Sequence, residues 1–254
     1  MRVQEEILYF GEAVLTFDNL STDESLRGWI TESIQECKST YPMISKKLPV
    51  AIDIGANIGG FCVHAKDKFD KIYAFEPELQ NFAVLANVKS LYQLDNVEIF
   101  NTAVYGKSNI ELSLRSYSDN HSKEVTCAEF EHKEFSAIDQ KCETISLSDA
   151  MEALGLDRID YLKIDCEGSE YEILENFEDY HKISLIALEM HDFYGKKRKL
   201  GLLKKLFKYY HIVTPTKVGR FSLEHLIVEA PSLKDLQDQH LFFLVNKALS
   251  ESKP

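Results

Sequence analysis

Residues 50–77 read VAIDIGANIGGFCVHAKDKFDKIYAFEP, and this stretch decides the fold. The apolar run 50–54 predicts a strand buried on both faces, and the glycines after it allow a sharp turn into a helix over residues 61–69. A second strand is predicted over residues 71–75, and it ends at Glu76. A strand, a glycine turn, a helix and a second strand ending in an acid are typical of a nucleotide-binding βαβ unit.

The glycine turn differs from the dinucleotide pattern. A NAD-binding turn reads G-x-G-x-x-G, whereas the turn from Gly55 to Gly60 reads G-x-x-x-G-G. Asp53 lies just ahead of it, where an anion repels pyrophosphate but suits a ligand that carries an ammonium and a sulfonium. Glu76 would accept hydrogen bonds from two ribose hydroxyls, because a carboxylate is a two-point acceptor. The alternative interpretation is a plain glycine turn followed by a surface acid.

Strands and helices alternate along the rest of the chain. Further strands are predicted over 97–101, 110–114, 158–165, 183–190, 209–214 and 241–246, and further helices over 81–91, 148–154, 171–177 and 196–210. This order predicts an α/β fold in a single domain over residues 1–254, with an N-terminal addition over 1–48 and a Rossmann-like core over 49–248. The polar segment 116–141 contains His121 and His132, and we expect a surface excursion rather than a metal site because no ligand spacing is recognisable.

The N-terminal addition is predicted to contain a hairpin or edge strand over residues 7–17 and a helix. Ser21 and Glu24 form a capping box at the start of this helix. Apolar residues at helical spacing, namely Leu26, Trp29, Ile30 and Ile34, predict one buried face. We expect this piece to pack on the core; partly covering the ligand site is the alternative.

Several polar side chains follow strands at the edge of the sheet where ligands bind in open α/β folds. Asp165 ends the fourth strand, within the sequence KIDCEGSE over residues 163–170, and Glu189 and His191 follow the fifth strand. Asn101 ends the third strand and is a candidate for the wall of an adenine pocket. A lone histidine after a strand is more often a hydrogen-bonded structural residue than a catalyst.

Two sets of charged helical residues are expected to face solvent. One set is acidic: Glu172, Glu175 and Glu178. The other is the seven Lys and Arg residues of segment 196–210, for which docking of an acidic partner is the alternative interpretation.

Composition limits the possible partners. A formal net charge of -12 argues against a standing phosphate-binding surface, so we expect no nucleic-acid partner. Five cysteines without a C-x-x-C are typical of thiols in a reducing compartment. Two acids in the first ten residues argue against a signal peptide, and no apolar run approaches the ~20 residues of a membrane span. A cytoplasmic protein without a membrane partner is therefore expected, and the oligomeric state is left open.

Three motifs together resemble the FkbM family of S-adenosylmethionine (SAM)-dependent methyltransferases. They are DIGANIG over residues 53–59, FEP over 75–77 and KIDCEGSE over 163–170, and the resemblance extends over about residues 50–191. It implies a doubly wound, mostly parallel seven-stranded sheet with helices on both faces, SAM as the cofactor, and methyl transfer to a hydroxyl of a small molecule such as a sugar or secondary metabolite. The candidate cofactor-binding residues are Asp53, Gly55, Asn57, Gly59, Glu76, Asn101 and Asp165.

A hydroxyl acceptor is a poor nucleophile and calls for a base. Asp165, Glu189 and His191 are the candidate catalytic residues. Two schemes are open: direct proton transfer to one of these groups, or a divalent cation held by Asp165 with Glu189 or His191. We favour the metal-free scheme and expect no metal. The competing functions are a non-catalytic SAM-binding or scaffold protein, an NAD-dependent oxidoreductase and an amino-group or nucleic-acid-base methyltransferase.

Overall fold

The computed structural model describes residues 24–41, 46–117, 125–126, 135–213 and 240–248. The strands are β1 (Leu48–Ile54), β2 (Phe69–Phe75), β3 (Val97–Phe100), β4 (Ala103–Tyr105), β5 (Glu111–Tyr117), β6 (Val125–Thr126), β7 (Phe135–Ser146), β8 (Ile159–Ile164), β9 (Ile183–Glu189), β10 (Tyr210–Val213) and β11 (Leu241–Asn246). The helices are α1 (Glu24–Thr40), α2 (Gly60–Ala65), α3 (Leu79–Leu91), α4 (Leu147–Ala153), α5 (Glu170–Asn176) and α6 (Gly195–Leu206), with 3-10 turns at Tyr180–Lys182 and Asp192–Tyr194. Residues 7–17, where a hairpin or edge strand was predicted, and Ser21 of the predicted capping box lie outside the described residues. The side chain of Glu24, its other member, also lies outside the description.

The main sheet has seven strands in the order β10-β11-β9-β8-β1-β2-β3. The five strands from β9 to β3 in this order run parallel, whereas β11 is antiparallel to both of its neighbours. The register pairs Asp53 of β1 with Lys163 of β8. Parallel pairing brings the carboxyl ends of β1, β2, β8 and β9 to one edge.

Helices cover both faces of this sheet, as the sequence predicted. Ile52 and Ile54 of β1 pack in one core with residues of α4, α5 and α6, and Ala51 packs in a second core with residues of α2 and α3. Side chains alternate between faces because the period of a strand is two residues. Two helical faces therefore bury the apolar strands on both sides, which is the doubly wound arrangement.

A second sheet has the order β4-β7-β5-β6 and corrects the expectation for segment 116–141. Residues 118–124 and 127–134 of that segment lie outside the description, but its end belongs to the long strand β7, which pairs antiparallel with β5. Leu112, Leu114 and Cys142 are buried in a small separate core. In the part of β7 whose side chains are described, Lys141 and Glu143 are exposed whereas Cys142 and Thr144 are buried. Composition alone predicted a surface excursion because it does not show this alternation.

The charged helical surfaces differ from the expectation of solvated faces. Arg198 of α6 forms ion pairs with Glu172 and Glu175 of α5 at 2.6 and 2.7 Å. Lys199 is fully buried and lies 2.8 Å from Asp192. Part of the basic charge of α6 is therefore used inside the fold, which leaves a weaker docking patch than the composition of the segment indicated.

For two helices, the apolar spacing in the sequence includes residues that the structure does not bury on that helix. The apolar spacing of segment 196–210 continues to Tyr210, but α6 ends at Leu206 and Tyr210 begins β10. In α1, Ile30 and Ile34 are buried against Val88 of α3, whereas Trp29 is half exposed. Spacing alone does not say where a chain turns into the next element.

Of the helices that the structure describes, none combines the length and the apolar content needed to cross a membrane.

Candidate functional site

A cavity of about 360 Å³ lies at the carboxyl edge of β1, β2, β8 and β9. Its walls come from the end of α1, the glycine turn after β1, the residues that follow β2, β8 and β9, and two residues of β4. It stands where an open parallel sheet places ligands. The residues that line it therefore come from segments that lie far apart in sequence.

The glycine turn forms one wall and requires glycine at its first position. Gly55 has φ 76°, and a Cβ built there would lie 1.8 Å from the backbone oxygen of Asp165. Asn57 also has a positive φ, of 48°, and both residues line the cavity. Gly59 does not line it; a Cβ there would lie 2.7 Å from Leu85 of α3. Gly59 thus allows close packing of α2 on α3, and its predicted cofactor contact stays a prediction.

Glu76 lies beside this turn with both carboxylate oxygens oriented by the backbone. Oε2 accepts a hydrogen bond from the Asn57 amide at 2.8 Å, and Oε1 accepts one from the Glu78 amide at 2.9 Å. Burial raises the pKa of Glu76 to about 7, and the two amide donors oppose that rise. The side chain lines the cavity as predicted and presents a fixed acceptor to a ligand with neighbouring hydroxyls.

Asn101 supports this loop instead of lining the cavity. Its Nδ2 donates to the backbone oxygens of Glu76 at 2.9 Å and Pro77 at 3.0 Å. Gln140 of β7 also donates to the Pro77 oxygen, at 2.9 Å. Asn101 was expected to line an adenine pocket; it does not line this cavity, whereas the β4 residues Ala103 and Val104 do.

Asp53 lies behind the cavity in a buried ion pair that sequence reasoning missed. It is fully buried, and its Oδ1 lies 3.2 Å from Nζ of Lys163. The same ammonium donates to the Gly55 oxygen at 2.7 Å and lies 3.6 Å from Asp165. Burial raises the pKa of Asp53 and Lys163 opposes the rise. Lys163 lines the cavity, whereas Asp53 does not. The structure therefore does not give Asp53 the direct access to the cavity that was expected of a cofactor contact.

Lys163 keeps its charge in this environment. Burial by itself would lower its pKa, but Asp53 and Asp165 more than offset that effect, and the pKa lies above its usual value. Part of the signal was in the sequence, which places Lys163 between Leu162 and Ile164 in a predicted strand; its register with Asp53 is known only from the fold. A buried charge of this kind requires a partner.

Tyr41 connects the candidate catalytic acids. It directly follows α1, is almost fully buried, and its hydroxyl lies 3.0 Å from Asp165 Oδ2 and 3.3 Å from Glu189 Oε2. Its ring packs edge-on against Phe61 of α2. The described part of the N-terminal addition therefore packs on the core and also forms a wall of the cavity. The sequence predicted the packing and gave covering of the site only as the alternative.

His191 is engaged by two other carboxylates. Its Nδ1 lies 3.0 Å from Oε1 of the fully buried Glu170, and its Nε2 lies 3.3 Å from Oε2 of Glu167. Burial would lower its pKa, but these acids and Asp165 raise it to about 10. At neutral pH the imidazole is protonated and has no lone pair for a further proton. This favours Glu189 or Asp165 over His191 as the base.

One group among the described residues has the geometry to hold a metal ion. Asp165, Glu167 and His191 each offer a ligand atom, and these atoms lie within 4.8 Å of one another. The sequence spacing did not reveal this group. Nζ of Lys163 lies 3.6 Å from Asp165, and Nε2 of His191 lies 3.3 Å from Glu167.

The sheet order, the acid after β2 and the cavity define a class I methyltransferase fold. The sequence model of the Methyltransferase FkbM domain family matches residues 53–224. The chain belongs to this family. Tyr41 and α1 precede the matched segment, although they complete the cavity.

Individual relatives are more distant. Methyltransferase 1 of Beauveria bassiana (strain ARSEF 2860) is 26% identical over an alignment of 163 residues that covers 57% of this chain and 65% of that protein. The crystal structure of methyltransferase FkbM from Methylobacillus flagellatus KT has a TM-score of 0.45 at 16% identity, over 79% of this chain and 43% of that one.

M. capricolum TrmK, solved with S-adenosylhomocysteine (SAH), has a TM-score of 0.38 at 16% identity, over 86% of this chain and 67% of that one. The chain thus spans less than two thirds of the length of Methyltransferase 1 and less than half of the M. flagellatus chain. At these identities no residue role is transferred from either solved structure.

Proposed function

We propose that the chain is a SAM-dependent methyltransferase that methylates a hydroxyl oxygen of a small molecule such as a sugar or a secondary metabolite. The observation that carries the proposal is that one cavity holds Glu76, suited to a ribose, and a group of acids after β8 and at the end of β9, suited to a hydroxyl acceptor. The family membership supports methyl transfer, and the choice of oxygen is our inference from the acids.

The residues of the cavity suit a SAM molecule. Glu76 presents two oxygens held by backbone amides, so a ribose diol has acceptors for both hydroxyls. Lys163 is the only Lys or Arg side chain among the described lining residues, and Asp53 and Asp165 already neutralise it. The cavity favours a ligand with positive charge and disfavours a pyrophosphate, which separates this proposal from an NAD-dependent oxidoreductase.

SAM, when bound, supplies an activated methyl group on a positively charged sulfur. The chain must then hold the acceptor oxygen ~3–3.5 Å from that carbon and in line with the breaking bond. Glu189 or Asp165 accepts the proton of the acceptor hydroxyl. General-base catalysis typically raises the rate ~10²–10⁴-fold. Tyr41, Phe61 and Phe193 give the cavity aromatic walls.

Competing functions differ in the residues they need. A neutral amine acceptor needs no ionised carboxylate as a base. A scaffold protein needs no acids near a methyl acceptor. A nucleic-acid partner is disfavoured because the net charge is -12 and acids line the cavity. Cytoplasmic localisation remains our proposal, supported by the free thiols of Cys37 and Cys62.

The test is transfer of a deuterated methyl group from labelled SAM to a panel of sugars, phenols and aliphatic alcohols, followed by mass spectrometry. We expect a product that gains one labelled methyl on oxygen. Glu189→Gln should lose most turnover, whereas Glu175→Gln, which changes an acid paired with Arg198 outside the cavity, should keep it. Methyl transfer to amines but to no hydroxyl would contradict the oxygen assignment.

A further inference from the structure

The second sheet is connected to the cavity at two places. Ala103 and Val104 of β4 line the cavity, and β4 pairs with the end of β7. Gln140, which lies earlier on β7, is half buried and forms hydrogen bonds with the loop that follows β2. This loop carries Glu76, so the second sheet contacts the part of the site that is suited to a ribose.

The side-chain amide of Gln140 uses both of its polar atoms on this loop. Its Nε2 donates to the backbone oxygen of Pro77 at 2.9 Å, and its Oε1 accepts a hydrogen bond from the Leu79 amide at 3.3 Å. Leu79 is the first residue of α3, and the first N–H groups of a helix have no partner within the helix. Gln140 therefore ties the loop and the start of α3 to the second sheet.

The bond to Pro77 fixes the peptide group that orients Glu76. The oxygen of Pro77 and the N–H of Glu78 belong to one planar trans peptide, so they point in opposite directions. That N–H donates to Oε1 of Glu76 at 2.9 Å. Gln140 and Asn101 both donate to the Pro77 oxygen, which uses both of its lone pairs. Holding this oxygen therefore directs the N–H toward the carboxylate, although Gln140 does not line the cavity.

We propose that Gln140 is a positioning residue for the cofactor, which acts on Glu76 through the peptide between Pro77 and Glu78 and thereby raises the affinity for SAM and SAH. The inference rests on the SAM site proposed above. A carboxylate that is already held in its binding geometry loses less freedom when the ligand arrives. Hydrogen bonds to the oxygen of a peptide also polarise that peptide, which makes its N–H a stronger donor.

Calorimetric titration with SAH tests this without knowledge of the acceptor. Gln140→Met removes both hydrogen bonds at a similar side-chain length, and we expect it to weaken SAH binding about 3- to 10-fold, the effect of one lost neutral hydrogen bond. Lys141→Met is the matched control, because Lys141 is the next residue of β7, is exposed and pairs with Glu111. It should change the affinity by less than about twofold. Unchanged affinity in Gln140→Met would overturn the inference.

A double-mutant cycle separates positioning from a purely structural role. Because Gln140 acts through Glu76, Gln140→Met should weaken SAH binding by less than about twofold in the Glu76→Ala background. An equal loss of affinity in both backgrounds would mean that Gln140 does not act through Glu76. Urea unfolding without ligand measures stability separately. A purely structural role would lower the free energy of unfolding and leave the SAH affinity of the folded protein unchanged, and this outcome also contradicts the inference.

Gln140→Glu provides a second variant of nearly the same size, should Gln140→Met fail to fold. Its carboxylate keeps an acceptor for the Leu79 amide but places an oxygen against the Pro77 oxygen, so SAH binding should weaken at least as much as in Gln140→Met. Wild-type affinity in Gln140→Glu would show that the contact with Pro77 has no role in binding, and the inference would then be wrong while the SAM site stands. If SAH does not bind the wild type, the SAM site itself is wrong and the inference falls with it.

Discussion

Glu76 and Glu78 are two neighbouring buried acids with different contacts, and their alanine variants should separate ligand binding from folding. Glu76 lines the cavity with both oxygens held by backbone amides. Glu78 points away from it and caps α3, where it accepts a hydrogen bond from the Asn81 amide at 2.7 Å. We therefore expect Glu76→Ala to weaken SAH binding and Glu78→Ala to lower the stability of the protein.

The expected magnitudes come from these contacts. A lost hydrogen bond to a charged group costs ~1.5–3 kcal/mol, so Glu76→Ala should weaken SAH binding roughly 10- to 150-fold. Glu78→Ala removes a helix cap, which costs about 1 kcal/mol of folding free energy and should leave the affinity within about threefold. Glu76→Ala also frees two amides, so its own stability must be measured.

Calorimetric titration of SAH and urea unfolding of all three proteins make the comparison. Unfolding in the presence of SAH adds a second measurement, since ligand at ~100 times its dissociation constant stabilises the wild type by ~2.7 kcal/mol. Equal losses of affinity in the two variants would refute the placement of the ribose at Glu76. A loss confined to Glu78→Ala would mean that the ligand enters from the α3 side.

Three further outcomes are expected. Lys163→Met leaves Asp53 buried without its partner and should lower the free energy of unfolding, measured in urea, by about 3–5 kcal/mol. The control Lys197→Met, at an exposed site, should change it by less than ~0.5 kcal/mol. A small effect at Lys163 would mean that its ion pair with Asp53 does not stabilise the fold. The pKa of His191 is raised from 6.5 to about 10, so its contribution to stability is fully present below pH 6.5 and is lost as pH rises through 10. His191→Gln should accordingly flatten the fall of stability above neutral pH, and an unchanged pH profile would contradict the ion pairs with Glu167 and Glu170. Asp165→Asn should keep the fold by circular dichroism but lose most turnover, and EDTA-treated wild type should stay active; activity lost to EDTA and restored by Mg²⁺ would instead favour a metal at Asp165, Glu167 and His191.

Much of the main sheet was predictable because its signals are local. The apolar run before the glycine turn predicted a strand over 50–54, and the structure has β1 at Leu48–Ile54. The third strand, predicted over 97–101, lies at Val97–Phe100. Strands buried on both faces are apolar throughout, so their composition identifies them. The strand β7 was missed because its solvated face and its pairing with β5 do not appear in composition.

Part of the candidate site was also predictable. Glu76 and Asp165 follow strands of the main sheet, and the end of a parallel strand is a defined place in this fold. Asn101 also follows a strand and Gly59 precedes the helix α2, but the structure uses Asn101 for loop support and Gly59 for helix packing. Position along the chain predicted the edge of the sheet and left open which side chains face the cavity.

The sequence by itself determined the alternation of strands and helices, the glycine turn and the acid after the second strand, because each depends on a few adjacent residues. Only the tertiary structure decided the partners of the charged groups. Tyr41 and Asp165 are 124 residues apart, and Lys163 meets Asp53 across the register of β1 and β8. A buried charge or phenol takes its protonation state from the groups packed around it, and those groups are known only once the chain has folded.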